Sequence, residues 1–398
     1  MESKPASPVQ KKPSDSREKK EAPLIQVVLL PFLAILTGLL IGAIVILAAG
    51  GNVVVAYGAL FAGSIGSPTA IIAAVGTFFS SGDSSQLVKA LYPITESLVT
   101  ATPYIFAGLA VALGFKCGLF NIGAEGQFFI GALAAAFVGY SIRGVPAVIH
   151  LPLAVLAGAV GGALWGAIPG YLKARFGAHE VVNTIMMNWI AFKLSDWLLT
   201  GPMKASGFRP VSPTIQPTAE LPQFFADPLR FNWGFVLALV MAAIVFWLLF
   251  KTTLGFEIRM VGANPDAAKY AGVNIFKNIV LAMVLSGGLA GLAGTAQVLG
   301  VDHWVGQGFS AGYGFDAIAI ALLGKSHPLG VVLSALLFGI LRSGATSMQS
   351  MAGIPIDIIS IIQGLVIIFV AAPAIIRWLY RIPITTTDQT VLTRGWGK

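Results

Sequence analysis

The chain has 398 residues, of which 56% are hydrophobic and only 11% charged, with a formal net charge of +8 and a mean hydropathy of +0.82. Soluble globular chains carry roughly 25% charged residues, so this composition excludes an ordinary soluble domain and specifies a polytopic membrane protein. The positive balance is not that of a nucleic-acid binder, because no basic stripe interleaves with aromatics. One cysteine, Cys117, excludes an internal disulfide, and His150, His179, His303 and His327 are scattered without metal-ligand spacing, so no metal site is expected.

Residues 1–23 carry six basic and four acidic side chains among Ser and Pro. Such a segment cannot bury enough apolar surface to fold, and a disordered cytoplasmic tail is expected. From Ala22 to Val88 the only charged residue is Asp83. A signal peptide is one reading of the basic region and apolar run, but Leu24–Gly50 is longer than a signal-peptide core and is followed by further apolar runs, so an uncleaved first span is expected.

At about 20 apolar residues per crossing, spans fall at 24–49, 94–114, 121–141, 147–171, 181–200, 233–250, 278–300, 313–324, 328–347 and 356–376. The expected fold is therefore an all-α polytopic membrane protein with about ten transmembrane helices over 24–380, and a second cytoplasmic tail at 381–398. Ten crossings place both termini on one side. With that side cytoplasmic, eighteen Lys and Arg residues lie inside and five outside, as the positive-inside rule requires.

Two outer segments are long. Gly51–Tyr92 contains a second apolar run, Thr69–Phe79, too short to cross alone and expected to be re-entrant or surface-lying. The insert around 64–86 has no further role assigned. Gly201–Asn232 holds Pro202, Pro210, Pro213, Pro217, Pro222 and Pro228, and reads either as an extended connector or as a platform for an extracellular partner.

Within this apolar background, Cys117–Gln127 gathers Asn121, Glu125, Gln127 and three glycines. Charge in a membrane domain persists where it faces protein interior, a partner or a water-filled path, and dense glycine marks broken or tightly crossing helices. A weak internal repeat links this stretch to a second one. Phe120-Asn-Ile-Gly-Ala-Glu-Gly and Phe309-Ser-Ala-Gly-Tyr-Gly-Phe-Asp each follow a Gly/Ala-rich span and precede an apolar run. The topology makes the two units, about 94–200 and 278–376, inverted repeats, a design that places the pathway at the repeat interface.

The loop 251–277 carries a helix signal: Asn264 as N-cap, Pro265 at the first helical position, Asp266 at the positive helix end, and Gly272 as terminator. A short capped helix in a cytoplasmic loop suits either a plain linker or a rigid knob on which a motor domain pushes. His179-Glu180 abuts the basic Lys173/Arg175 loop and reads as a loop or cap pair rather than an acid–base pair.

Three ordered motifs carry a resemblance: Gly118-Leu-Phe-Asn-Ile-Gly-Ala-Glu-Gly-Gln127, His179-Glu-Val-Val-Asn-Thr-Ile-Met-Met-Asn-Trp189, and Arg259-Met-Val-Gly-Ala-Asn-Pro-Asp-Ala-Ala-Lys-Tyr-Ala-Gly272. Over roughly 24–380 the chain resembles ABC-importer permeases of the branched-chain amino acid/ribose-type family, in its nucleoside and simple-sugar branch. The resemblance implies a non-catalytic transport subunit in a bacterial cell membrane. It also implies a second homologous permease, a cytoplasmic ATPase with two nucleotide sites that holds the ATP-Mg, and an extracellular substrate-binding lipoprotein. The chain itself would carry no cofactor, and it contains no Walker A pattern. Carried over by motif, Gly262, Asn264, Pro265, Ala268 and Gly272 would engage the ATPase.

A nucleoside offers a stackable base and hydroxyls, so its path should supply aromatics, amides and carboxylates. The candidates are Asn121, Glu125, Gln127, Asn188, Trp189, Phe309, Tyr313 and Asp316. Glu125 and Asp316 also fit as structural carboxylates at helix breaks, Trp189 as a packing residue, and Asn183 and Asn188 as interhelical hydrogen-bonders. Alternatives to a nucleoside importer are a pentose-type sugar importer of the same architecture and an ion-coupled secondary transporter working alone. The capped helix at 264–271 favours a motor-driven system. No HExxH, Ser-Lys or paired-aspartate arrangement points to a membrane-embedded enzyme.

Overall fold

The computed structural model describes residues 24–382 except Asp83 and Ala311. The tails expected at 1–23 and 383–398 lie outside the described residues. Among the described residues, fifteen α-helices follow in chain order: α1 (Leu24–Ala48), α2 (Val53–Ile65), α3 (Pro68–Ser81), α4 (Ser85–Lys116), α5 (Ala124–Ser141), α6 (Ala147–Phe176), α7 (Glu180–Thr200), α8 (Trp233–Lys251), α9 (Thr253–Ala263), α10 (Pro265–Tyr270), α11 (Ile275–Gln297), α12 (Tyr313–Leu323), α13 (Pro328–Ala352), α14 (Ile356–Ala371) and α15 (Pro373–Leu379). Pairing between extended segments among the described residues is limited to two isolated bridges, Val211 with Gly306 and Gln223 with Asn232.

Six of the described helical stretches are long and apolar enough to cross a membrane, or seven if Ser360–Phe369 and Pro373–Leu379, bent by 82°, form one broken span. The sequence reading differs most at 51–92. The short run expected to be re-entrant or surface-lying is α3, which follows α2 after a two-residue break and makes with it a 29-residue apolar stretch, Val53–Ser81. The first Gly/Ala-rich span is also longer than its apolar core, because α4 begins at Ser85. The α2–α3 junction packs on the N-terminal part of α4: Ser97 Oγ donates to the Ser64 carbonyl at 2.7 Å, and a Cβ on Gly66 would lie 3.1 Å from the Ala90 carbonyl oxygen.

Helix α4 is the buried axis of the bundle, with residues 104–114 almost wholly enclosed. Around it, α5, α6 and α11 approach through glycines. Gly158, Gly162, Gly166 and Gly170 recur every four residues along one face of α6 and meet Met283, Gly287, Gly291 and Thr295 of α11. A Cβ on Gly162 would stand 2.3 Å from the Gly287 carbonyl oxygen, and one on Gly291 would stand 2.4 Å from that of Gly158. Small residues at this spacing let backbones touch, which supplies the van der Waals association that lipid cannot provide through the hydrophobic effect.

The Pro-rich segment 201–232 folds back over one end of the bundle. Ile215 N donates to His303 O and Leu221 N to Leu299 O, at 2.9 and 2.8 Å. His150, fully buried, bridges Thr218 Oγ1 at 2.7 Å and Val138 O at 3.1 Å. Arg230 pairs with Glu96 of α4, its Nε 3.1 Å from Oε1. These clamps make the segment a packed cover rather than a loose connector. Asn232 donates to the Gly300 carbonyl at 2.9 Å, fixing the π-helical turn Val298–Asp302 that ends α11.

Candidate functional site

The polar stretch Cys117–Gln127 is a break between α4 and α5. Gly118 adopts φ +74°, Leu119 N returns to the Gly114 carbonyl at 2.9 Å, and the chain folds back along α4 before α5 starts at Ala124. Amides hold the break in place. Asn121 donates through Nδ2 to Gln127 Oε1 and to Ser286 Oγ, both at 2.8 Å, and Ser286 in turn donates to the Ala110 carbonyl at 2.6 Å. From α7, Asn188 accepts from Gly126 N at 2.8 Å and donates to Ile122 O at 3.0 Å. Three of the candidates, Asn121, Gln127 and Asn188, are therefore buried in one bracing network.

Glu125 and the start of α12 meet directly. The Glu125 carboxylate accepts from Ser310 Oγ at 2.5 Å and from Gly314 N at 2.6 Å. The first turns of α5 and α12 touch backbone to backbone, because a Cβ on Gly314 would lie 2.2 Å from Glu125 N. Helix N-termini carry positive partial charge, so one carboxylate serves the free N–H groups of a facing helix end. In the same first turn of α12, Asp316 accepts from the Tyr104 hydroxyl at 2.8 Å.

Aromatic rings surround this crossing. Phe128 stacks on Phe309 and Tyr313, with centroids 5.4 and 5.6 Å apart, and Tyr313 meets Tyr104 edge-on at 4.8 Å. Phe129 links Phe309, at 4.9 Å, to Phe192, at 5.0 Å. Trp189 stands apart: it is 58% exposed and touches the cluster only through Phe192, at 5.8 Å. The structure thus brings Glu125, Phe309, Tyr313 and Asp316 together, sets the amides behind them as braces, and leaves Trp189 on the outer surface.

The sequence reading names no candidate at Tyr104, Phe128, Phe129, Phe192 or Arg342. Tyr104 and Phe128 sit in Gly/Ala-rich apolar runs with nothing local to distinguish them. Arg342 of α13 lies within electrostatic range of Tyr104, Tyr313 and Asp316, and it had a signal: an Arg inside the apolar run Pro328–Ala352.

The loop motif forms two helices. Asn264 caps α10, its Oδ1 accepting from Ala267 N at 3.1 Å, with Pro265 at the first position and Gly272 at φ +81°. Asn264, Pro265 and Gly272 are exposed, whereas Ala268 is fully buried. Gly262 faces the bundle: its Cβ would lie 2.3 Å from the Lys116 carbonyl oxygen and 2.8 Å from Gly118 N. Tyr270, 96% exposed beside charged neighbours, is a further presented side chain.

The described residues thus form an apolar helical bundle with a buried helix crossing inside it and a capped helix displayed on a connecting loop. The family described as the permease component of the branched-chain amino acid transport system matches residues 94–371, and the chain belongs to it. It is 40% identical over 356 residues to the guanosine ABC transporter permease NupP of Bacillus subtilis, covering 88% of this chain and 95% of that one. It is 34% identical over 359 residues to the nucleoside ABC transporter permease NupB of Lactococcus lactis, covering 88% and 92%. The glucose ABC transporter permease TsgB13 of Haloferax volcanii is 35% identical over 352 residues, covering 85% and 86%. No solved structure matches the chain.

Proposed function

We propose that the chain is the membrane permease subunit of an ABC importer for nucleosides. The observation that carries this reading is the 40% identity, across nearly the whole of both chains, to a permease named for guanosine. A simple-sugar importer is the second reading, favoured by the 35% identity to a permease named for glucose.

The transport subunit would do no chemistry itself, and ATP-Mg would be hydrolysed on a cytoplasmic ATPase with two nucleotide sites. A second, homologous permease is supported by matches to two chains from one organism, NupP at 40% and NupQ at 28% identity. An extracellular binding lipoprotein would deliver substrate to the cover formed by 201–232. The bundle would lie in a bacterial cell membrane as about ten spans over 24–380, with both termini cytoplasmic. Helix α4 has 32 residues, about 48 Å of helix against a hydrocarbon core of about 30 Å. Its N-terminal third would then extend beyond that core, and the α2–α3 junction packs beside it through Ser64 and Ser97.

The meeting of α5 and α12 at their first turns supports inverted repeats about 94–200 and 278–376 with the pathway between them. Glu125, Phe309, Tyr313 and Asp316 would form its narrowest part, Asn121, Gln127 and Asn188 would support it, and Trp189 would face lipid or the second permease. Asn264, Pro265 and Gly272 would present α10 of the coupling loop 251–277 to the ATPase, with Ala268 and Gly262 seating it. Co-reconstitution with the partner subunits and labelled guanosine, uridine and glucose tests the proposal. ATP-dependent nucleoside uptake is expected, glucose uptake alone would select the sugar reading, and uptake without the ATPase would overturn both.

A further inference from the structure

An apolar groove of about 270 Å³ opens between α6, α8 and α11. Its floor is Leu113, Val245 and Leu289, all buried, and its rim carries the exposed Val160 and Ile244. Gly288 contributes no side chain, so the groove stays open where any larger residue would narrow it. Along α8 the lining runs from Met241 to Leu248, about 10 Å of helix, enough for most of an acyl chain in one leaflet of a core about 30 Å thick.

Charge is placed at one end of this groove. Positions 241, 244, 248 and 251 fall on one face of α8, and 277, 281, 284 and 288 on one face of α11. On these faces Lys251 follows the lining residue Leu248 by one turn of α8, Lys277 precedes the lining residue Val284 by two turns of α11, and both lysines are exposed. Neither lysine belongs to an ion pair among the described residues. The carboxylate on the intervening α9, Glu257, is engaged by Asn278 Nδ2 at 2.9 Å. Apolar walls leading toward two cations that have no ion pair among the described residues match a lipid tail carrying an anionic headgroup, since basic sites between transmembrane helices hold such headgroups.

We propose that this groove is a binding site for an anionic phospholipid, with one acyl chain between α6, α8 and α11 and its phosphate at Lys251 and Lys277. The purified full chain in detergent is titrated with phosphatidylglycerol or with phosphatidylcholine of the same chains. Retained lipid is counted by native mass spectrometry and thermal stability is followed alongside. Phosphatidylglycerol should be retained about tenfold more than phosphatidylcholine, from two lysines each favouring an anionic lipid severalfold. The Lys251→Ala/Lys277→Ala double variant should lose that preference, and Lys251→Arg/Lys277→Arg should keep it. Gly288→Leu, which fills the groove, should weaken retention of both lipids. Equal retention of the two lipids by the unaltered chain, or a preference that survives the double alanine variant, overturns the proposal. So does an equal stabilisation by glycerol phosphate, which has the anion and no tail.

Discussion

Glu125 and Gly314 are locked to each other in both directions: the carboxylate accepts the Gly314 N–H at 2.6 Å, and the Glu125 backbone leaves no space for a Cβ at 314. Gly314→Ala must therefore push α12 away from α5. Overpacking of this kind costs roughly 1–3 kcal/mol, and here it also stretches a charge-assisted hydrogen bond. The variant should insert in the membrane but melt at lower temperature and lose most of its uptake in the reconstituted importer. Glu125→Gln keeps the shape and weakens the bond, so a smaller loss, about 1–2 kcal/mol, is expected. Wild-type melting of Gly314→Ala would show that the two first turns do not touch.

The α6–α11 contact makes a second expectation. A Cβ at Gly162 or Gly291 would meet backbone atoms, not flexible side-chain ends, so the helices must separate rather than repack. Gly291→Val should therefore lower thermal stability strongly. Leu164 is exposed on the side of α6 turned away from that contact, and Leu164→Val should be close to neutral. Equal melting of Gly291→Val and Leu164→Val would remove the claim of backbone contact.

The break at 117–127 and the capped helix at 264–272 are legible because each rests on local chemistry: polar side chains where lipid penalises them, and the Asn-Pro pair that starts a helix. What sequence could not supply is partnership across the fold. Glu125 reads as a substrate contact or as a structural carboxylate, and its partners Ser310 and Gly314, 185 and 189 residues away, are not legible from its neighbours in the chain. Tyr104 is one more apolar position in the sequence until its hydroxyl meets Asp316. Likewise, the run 69–79 reads only as a re-entrant or surface-lying element, because the helix α2 before it is separated from it by the break at Gly66 and Ser67.

His327 gives a pH dependence. Its ring packs on Phe250 and Phe246, with centroids 5.3 and 5.7 Å away, and burial together with the Lys116 charge holds its pKa below the ordinary 6.5. The unfolded chain thus binds the proton more readily than the folded one. The neutral ring's contribution is complete above pH 6.5 and is lost as pH falls through the folded value. Melting temperature measured from about pH 8 down to about pH 5 should drop less for His327→Gln than for the unaltered chain. Parallel curves would mean that the imidazole titrates as it does in water.

Coupling should pass through Gly262. Helix α9 rests its Gly262 against the Lys116 carbonyl and Gly118 N, and Gly118 opens the segment that leads through Asn121 to Glu125. Force applied at α10 has a stiff route to the α5–α12 crossing, because glycine-to-backbone contacts have no side chain to absorb displacement. Gly262→Val should open that contact while leaving the exposed α10 face unchanged. ATPase association, measured by co-purification, should persist, and uptake per ATP hydrolysed should fall several-fold. Tyr270→Ala, on the exposed face, should instead weaken association and leave the coupling ratio of the remaining complexes intact. Asn264→Ala removes the cap of α10, worth about 1 kcal/mol, and should lower both. If Gly262→Val and Tyr270→Ala have the same effect on association and on uptake per ATP, Gly262 belongs to the docking surface and not to the transmission path behind it.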